Sequence, residues 1–191
     1  AGIMGAQIAG HLANAGIPSY LFDINDELAK NGVDSLTSLK PAPLYKPKNA
    51  ELVYVAVQGD QYTASKDRGI YRSSDGGKHW EKVLFVNDHS GVSGLSMDRT
   101  NPRILFASFW DHQRQPWQMR SGGDGSGIYK STDGGDQWKK VNDKSDIGNR
   151  PFYYSDIFVD PQNENRVYSV FTYVNVSEDG GRNFKELMPA Y

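Results

Sequence analysis

The chain has 191 residues, with 21 Lys and Arg against 23 Asp and Glu and a net charge of −2 at pH 7. This near-neutral balance argues against a nucleic-acid partner, because nucleic-acid binders cluster basic residues against phosphates. The absence of Cys excludes disulfides, thiolate metal sites and Cys nucleophiles. Eleven Tyr and twenty Gly favour β structure with many turns, and no apolar run is long enough for a membrane span.

Residues 1–48 read as a helix, a strand and a linker rich in proline, which predicts a small α/β segment. Gly2 and Gly5 open the helix-like run, and the strand-like run 20–24 contains Asp23. Glycines, a helix N-terminus and a following acid are the elements that hold the pyrophosphate and ribose of a dinucleotide. The segment resembles the NAD-binding start of 3-hydroxyacyl-CoA dehydrogenases, and the resemblance implies that these three residues contact NAD.

The segment also departs from that family. The first strand and the first glycine of the G-x-G-x-x-G fingerprint are absent from the chain, which begins at Ala1. Without that strand, the parallel sheet that presents the turn to the pyrophosphate has no centre. We therefore expect no cofactor, with NAD only if the segment belongs to a complete Rossmann domain. A fragment of an NAD-dependent 3-hydroxyacyl-CoA dehydrogenase is one alternative function.

The composition changes at residues 48–52, where we place a boundary between a segment 1–48 and a domain 49–191. From this point short runs rich in Ile, Val, Tyr and Phe are separated by Gly, Asn, Asp and Pro, which is typical of strands and turns. The predicted strands are 52–57, 69–73, 103–109, 127–131 and 166–173.

Three segments repeat the pattern S-x-D-G-G-x-x-aromatic without gaps. The Asp carboxylate can accept backbone N–H groups of its own turn, and the glycines can adopt positive φ. The hydroxyl can bond another turn group, and the aromatic can pack between sheets. We interpret these residues as structural. They are Ser73, Asp75, Gly77 and Trp80; Ser131, Asp133, Gly135 and Trp138; and Ser177, Asp179, Gly181 and Phe184.

A second repeated element begins at Asp98 and again at Asp160, each time before a predicted strand. Together the two elements resemble those of Asp-box (BNR) β-propellers, the sialidase-like and sortilin-like proteins. The resemblance implies four-stranded blades with the Asp box between the third and fourth strands. We therefore predict a mainly β fold, namely a partial β-propeller of about three Asp-box blades with a small N-terminal α/β fragment.

Residues 109–120, which we interpret as a loop between strands, carry the most chemically versatile side chains. Exposed Trp beside Arg suits sugar faces or peptide side chains, and the alternative is a loop that packs its Trp on a neighbouring blade. A second stretch, 149–155, combines Tyr with Arg, and the alternative there is strand core. The candidate ligand-binding residues are Trp110, His112, Arg114, Trp117, Arg120, Arg150, Tyr153 and Tyr154.

The spacing places no nucleophile and no pair of carboxylates, so we predict no catalytic residue and no metal site. The predicted function is a module that binds a protein or a glycan through loops between blades, and a glycoside hydrolase of the sialidase or xyloglucanase kind is the alternative. The family resemblance favours a periplasmic or extracellular location. About three blades do not close a propeller, so we expect an oligomer or a propeller completed by a partner. Two unrelated resemblances in one chain also indicate a fusion or a set of joined fragments.

Overall fold

The computed structural model describes residues 21–23, 31, 52–144, 156–171 and 173–188. Thirteen β-strands form three sheets within these residues. The strands are β1 Leu21–Asp23, β2 Val53–Val57, β3 Gly69–Ser73, β4 Glu81–Leu84, β5 Ser90–Met97, β6 Leu105–Gln115, β7 Gln118–Ser121, β8 Gly127–Ser131, β9 Lys139–Asn142, β10 Asp156–Asp160, β11 Asn163–Val170, β12 Val174–Ser177 and β13 Lys185–Met188.

The three sheets repeat one topology. Sheet 1 has the order β1-β2-β3-β4, sheet 2 the order β5-β6-β8-β9 with β7 also paired to β6, and sheet 3 the order β10-β11-β12-β13. Neighbouring strands are antiparallel, except that β1 runs parallel to β2. Each S-x-D-G-G segment connects the third and fourth strands of its sheet, as the repeat predicts.

Sheet 2 lies between the other two sheets and buries both of its faces. Successive side chains point to opposite faces of a strand, so Leu105 enters the core shared with sheet 1 while Phe106 enters the core shared with sheet 3. This two-sided burial explains why residues 105–110, the first half of β6, are nearly continuous in apolar residues rather than alternating. The first core contains Tyr54, Ala56, Ile70, Val92, Leu95, Leu105, Ala107, Phe109 and Tyr129. The second contains Ile104, Phe106, Ile128, Ile157, Val159 and Val167.

Two predicted strands, 69–73 and 127–131, have the bounds of β3 and β8. Strand β5 was not among the strands predicted from the sequence, because its Ser and Gly residues lack the β-branched side chains that indicate a strand. Its Gly91 is required by packing, since a Cβ there would clash with the carbonyl oxygen of Gln58. The glycine therefore marks a close approach of two chain segments.

The interpretation of residues 109–120 as a loop is wrong. Strand β6 continues to Gln115, turns at Pro116 and Trp117, and returns as β7. Continued pairing of β6 with β7 is what keeps the backbone extended beyond the core of sheet 2. The predicted strand 20–24 corresponds to β1, whereas the predicted N-terminal helix lies outside the described residues.

Candidate ligand-binding site

The three repeated turns, Ser73–Trp80, Ser131–Trp138 and Ser177–Phe184, share one set of hydrogen bonds. In the first turn the Ser73 hydroxyl accepts the N–H of Gly77 at 2.7 Å and donates to Asp75 at 2.9 Å. These two distances are 2.8 and 2.8 Å in the second turn and 2.9 and 2.8 Å in the third. The paired glycines have φ between 72° and 89°, a region that other residues rarely adopt. Each turn is thus closed by its own residues.

The turn carboxylates are held ionised by the same bonds. Each accepts the backbone N–H four positions later, at 2.9, 3.0 and 2.9 Å in chain order. Because these N–H donors stabilise the charged form, the pKa values of the Asp75 and Asp133 carboxyls are lowered, and that of Asp179 falls to about 2. These bonds are made within each turn, and the structural role of the residues stays a prediction.

The second and third turns also dock against the preceding sheet. The Tyr54 hydroxyl and the Arg72 guanidinium of sheet 1 both donate to the carbonyl of Gly134, at 2.8 and 2.6 Å. Arg72 also pairs with Asp136 at 2.7 Å. In the same way the Asn142 amide of sheet 2 donates to the carbonyl of Arg182 at 2.8 Å. The turns therefore join neighbouring sheets.

The aromatic residue of each later turn fills the adjoining core. Trp138 packs on the core between sheets 1 and 2, and Phe184 packs on the core between sheets 2 and 3. The indole of Trp138 also donates to the carbonyl of Gly135 at 3.0 Å. These contacts are those expected of an aromatic between sheets. The indole N–H of Trp80 in the first turn is buried without a hydrogen-bond partner.

The opposite end of the sheets carries a protruding hairpin formed by β6 and β7. Strand β7 pairs with β6 from Gln115 and Gln118 at the tip to His112 and Ser121 at the base. Trp117 at the turn is 80% exposed, and Met119 on β7 is 54% exposed. Large apolar side chains with this exposure are typical of contact residues in binding surfaces.

The loop between β2 and β3 reaches this hairpin from sheet 1. The N–H of Arg114 donates to the carbonyl of Gln61 at 2.8 Å, and the Gln113 amide donates to the carbonyl of Tyr62 at 3.1 Å. The loop turns at Asp60, whose carboxylate accepts the N–H of Tyr62 at 2.6 Å. The Tyr62 side chain is 55% exposed. We call Tyr62, Arg114, Trp117, Met119 and Arg120 the hairpin surface.

A fully buried arginine holds the base of the hairpin surface. The Arg68 guanidinium donates to the carbonyl of His89 at 2.8 Å and lies 3.2 Å from His112 Nδ1. It also donates to the carbonyls of Asp60 and, at 3.3 Å, Thr63. Its Nε has no hydrogen-bond partner. One side chain therefore links the β2–β3 loop to the start of β5 and to β6.

His112 is the neutral partner of this arginine. Burial is the main cause that lowers the pKa of its imidazole to about 4, and the Arg68 charge adds to the effect. Its ring stacks on Trp110 with centroids 4.2 Å apart. Burial also lowers the pKa of Arg68, although a guanidinium stays charged in proteins. A neutral imidazole beside the guanidinium avoids placing two cations in one desolvated pocket.

The predicted ligand-binding residues fall into three groups. Trp110 and His112 are buried, with exposures of 2% and 0%, so they support the hairpin from inside rather than present a surface. Arg114, Trp117 and Arg120 are exposed, and Arg120 pairs with Asp111 at 2.8 Å. The remaining predictions, Arg150, Tyr153 and Tyr154, lie outside the described residues.

Three residues of this site are missing from the sequence-based prediction: Tyr62, Arg68 and Met119. Tyr62 and Arg68 lie in a stretch of ordinary polar loop composition, and no local pattern distinguishes them. Their role arises from contacts 44 to 51 positions away along the chain. Two strand-like runs joined by the short turn at Pro116 and Trp117 were the sequence signal that could have indicated Met119.

The described residues do not fit an NAD site. Of the candidate cofactor residues, Gly2 and Gly5 lie outside the described residues, and Asp23 ends β1 opposite Val57. Strand β1 is at the edge of a sheet that is otherwise antiparallel. A dinucleotide fold instead places its acid and its glycine turn at the carboxyl ends of central parallel strands.

The same residues offer neither a metal site nor a helix that could span a membrane. No group of three or more His, Asp or Glu side chains there is arranged to hold a metal ion. None of the helical structure in the described part of the chain is long and apolar enough to cross a membrane.

Comparison with known proteins gives a short partial match in sequence and a wider match in fold. No family model matches the chain. Over 116 residues the chain is 39% identical to a probable 3-hydroxyacyl-CoA dehydrogenase of Deinococcus radiodurans. The match covers 51% of this chain, and the chain spans about a third (33%) of the length of that relative.

The similar solved structures include glycoside hydrolases. An ancestral GH74 enzyme is 17% identical with a TM-score of 0.52, covering 73% of this chain and 17% of that chain. The GH74 xyloglucanase of Xanthomonas campestris is 19% identical with a TM-score of 0.46, covering 71% and 18%. The protein YCF48 bound to D1 peptide is 14% identical with a TM-score of 0.38, covering 67% and 38%. The likeness to the ancestral enzyme is one of fold, and with the repeated sheets it shows that the described residues form blades of a β-propeller.

Proposed function

We propose that this propeller portion is a binding module that contacts a protein or a glycan through the hairpin surface. The observation that carries the proposal is the 80% exposure of Trp117 on a hairpin anchored by a buried arginine. The hairpin that carries Trp117 is held at its base, where Arg68 donates to the carbonyls of His89 and Asp60. Tyr62 and Met119 are also more than half exposed, at 55% and 54%. Rigid aromatic anchors of this kind carry much of the binding energy in known interfaces.

The proposal is tested by replacing the exposed Trp117. Trp117→Ala should weaken binding to probes by about tenfold or more, measured on a glycan array that includes xyloglucan oligosaccharides and on a displayed library of linear 12-residue peptides. The matched control is Leu52→Ala, since Leu52 is 48% exposed next to β2, at the turn end of sheet 1 and away from the hairpin. Equal binding by the wild type and Trp117→Ala, with both folded, would refute the proposal.

A glycoside hydrolase is the second candidate function, and one observation favours it. Desolvation raises the pKa of the Asp156 carboxyl although the residue is exposed at the start of β10, and a raised pKa is the direction required of a general acid. The other acids that the sequence offers, Asp98 and Asp160, accept N–H groups of their own turns at 2.7 to 2.9 Å. Release of reducing sugar from xyloglucan by the wild type, lost in Asp156→Asn, would establish this activity.

We also propose that the outward face of sheet 3 is covered by another sheet, in an oligomer or in a propeller completed by a partner. Pairing aligns Tyr54 with Arg72 in sheet 1, Phe106 with Lys130 in sheet 2, and Tyr168 with Val176 in sheet 3. In sheets 1 and 2 these paired residues contact the repeated turn of the next sheet. The pair in sheet 3 belongs to a face on which Phe158 is 51% exposed.

This assembly is tested by light scattering on the 191-residue chain. Exposed apolar surface of that kind promotes association, so the chain should form oligomers at micromolar concentration, and Phe158→Glu should shift them towards monomers. A monodisperse 21.3 kDa monomer with a cooperative melt would contradict the proposal.

A further inference from the structure

Strand β7 is an edge strand of sheet 2, and none of the described strands pairs with the side of it that faces away from β6. It pairs with β6 on one side, and β9, which continues sheet 2 beyond β8, pairs only with residues 128–130. All four residues of β7 are exposed. An open edge of this kind presents a row of free N–H and C=O groups that another strand can pair with.

The register between β6 and β7 determines which groups of β7 point outward. The N–H groups of His112 and Arg114 donate away from β7, to the carbonyls of His89 and Gln61. In an antiparallel pair the opposed residues share one orientation, so Met119 and Ser121, which lie opposite Arg114 and His112, point away from β6. The next residue, Gly122, points inward again, since its N–H donates to the carbonyl of Asp111 at 2.9 Å.

The free groups form a regular array. Met119 and Ser121 are two positions apart on the strand, so their outward N–H and C=O groups repeat about every 6.8 Å. None of the described contacts uses these four backbone groups; the one side-chain bond here is from the Trp110 indole to the Ser121 hydroxyl at 2.9 Å. Alternating donors and acceptors at this spacing match an extended peptide, whereas sugar hydroxyls have no such repeat.

The side chains around the edge favour a peptide as well. Met119 and the neighbouring Trp117 offer apolar contact to alternate side chains of an added strand. The charge of Arg120 on the opposite face of β7 is balanced by Asp111 at 2.8 Å. The edge therefore lacks the unpaired inward-pointing charges that proteins use to prevent strand addition.

We infer that the hairpin surface binds an extended segment of a partner protein that adds as a strand to the free edge of β7. Backbone bonds to Met119 and Ser121 provide the pairing, and Trp117 and Met119 contact the side chains of the segment, as in other cases of strand addition. The inference rests on the proposed binding function and specifies its ligand as a peptide in the β conformation rather than a glycan.

The first test removes one outward N–H from the protein. Met119→Pro deletes a donor that β6 does not use, and proline is tolerated on an edge strand when its missing N–H faces solvent. The matched control, Met119→Leu, keeps the N–H and an apolar side chain of similar volume. Both variants should melt like the wild type.

The readout is the affinity for the tightest peptides selected from the library of linear 12-residue peptides. Loss of one backbone bond and the bulk of the ring should weaken binding about tenfold in Met119→Pro, while Met119→Leu should change it by less than about threefold. Equal affinity of the wild type and a folded Met119→Pro variant would overturn the inference.

The second test removes N–H groups from the peptide. Single N-methylation along a selected peptide should abolish binding at two positions that lie two residues apart, because the carbonyls of Met119 and Ser121 accept alternate N–H groups of an added strand. Loss of binding on N-methylation that does not follow this spacing contradicts strand addition. A glycan that binds in a manner sensitive to Trp117→Ala but not to Met119→Pro overturns the inference while leaving the binding function intact. Absence of any peptide or glycan binding overturns both.

Discussion

The two ends of the sheets are built in different ways. At one end, three turns repeat the same Ser, Asp and Gly hydrogen bonds within a few tenths of an ångström, and nearly all of those bonds join residues two to four positions apart. At the other end, the hairpin surface depends on a single arginine whose partners come from three chain segments. The described residues contain one such arrangement, and no other sheet repeats it.

This difference separates an element that can repeat anywhere from one that depends on specific neighbours. A turn that closes on itself can be copied into every sheet, because it needs no specific neighbour. A buried cation with an unpaired Nε is costly and persists only where long-range contacts hold it. The turn end therefore builds the repeated part of the fold, and the hairpin end carries the binding surface that we propose.

The largest expected effect comes from removing the arginine. Arg68→Ala removes the donor to the carbonyls of Asp60 and His89 and opens a cavity in place of a fully buried side chain, so the free energy of unfolding should fall by about 4 kcal/mol. Urea unfolding followed by circular dichroism measures it. The control is the exposed Arg99→Ala, which should stay within about 0.5 kcal/mol of the wild type. A loss as small in Arg68→Ala as in the control would remove the basis of the comparison.

The two ends should also lose stability in different pH ranges. His112 has a pKa of about 4 in the folded chain against 6.5 unfolded, so between these values the unfolded state binds more protons. Stability should therefore fall by up to about 3 kcal/mol as the pH drops from 6.5 to 4. The turn carboxylates have lowered pKa values, so their contribution is present above pH 3.8 and is lost only below it, for Asp179 down to about pH 2.

The pH dependence is measured as urea midpoints from pH 7.5 to 2.5. His112→Asn keeps a neutral polar side chain and should remove the decline between pH 6.5 and 4 while retaining the decline below 3.8. The charged groups around this imidazole are Arg68, Asp111 and Arg120. An unchanged profile in the variant would show that another group causes the upper decline.

A smaller effect is expected from one turn hydroxyl. Ser131 is 1% exposed and accepts the N–H of Gly135, so Ser131→Ala should cost about 1–2 kcal/mol. The adjacent, exposed Thr132→Ala is the matched control and should be near neutral. Asp75→Ala and Asp133→Ala should likewise lower the melting temperature while peptide or glycan binding by the folded protein is retained. Loss of binding in a folded turn variant would break the division between the two ends.

The smallest expected effect is that of NAD. The strand that carries Asp23 lies at a sheet edge, and the expectation is no saturable heat in titration calorimetry with NAD up to millimolar concentration. Asp23→Ala serves as the control. Micromolar affinity that disappears in Asp23→Ala would show that the N-terminal segment contains a working dinucleotide site.

The sequence alone determined the repeat and the chemistry of its turns. Ser131, Asp133 and Gly135 interact within five residues, so their types and spacing carry the whole set of bonds. The strands β3 and β8 next to those turns were predicted with their bounds for the same reason. The propeller class was implied by the resemblance of this repeat to the Asp boxes of known propellers, in which each copy forms the same unit.

Only the tertiary structure decided what the other end of the sheets does. Residues 109–120 read as a polar loop because their pairing partners, β7 and the Gln61 carbonyl, are defined by the fold and not by a local pattern. Trp110 and Trp117 are alike in sequence, yet one is 2% and the other 80% exposed. Burial is set by the segments that pack around a residue, and Arg68 brings those segments together over distances of up to 44 positions. Local chemistry is therefore readable from the sequence, whereas the assembly of distant segments into a surface is not.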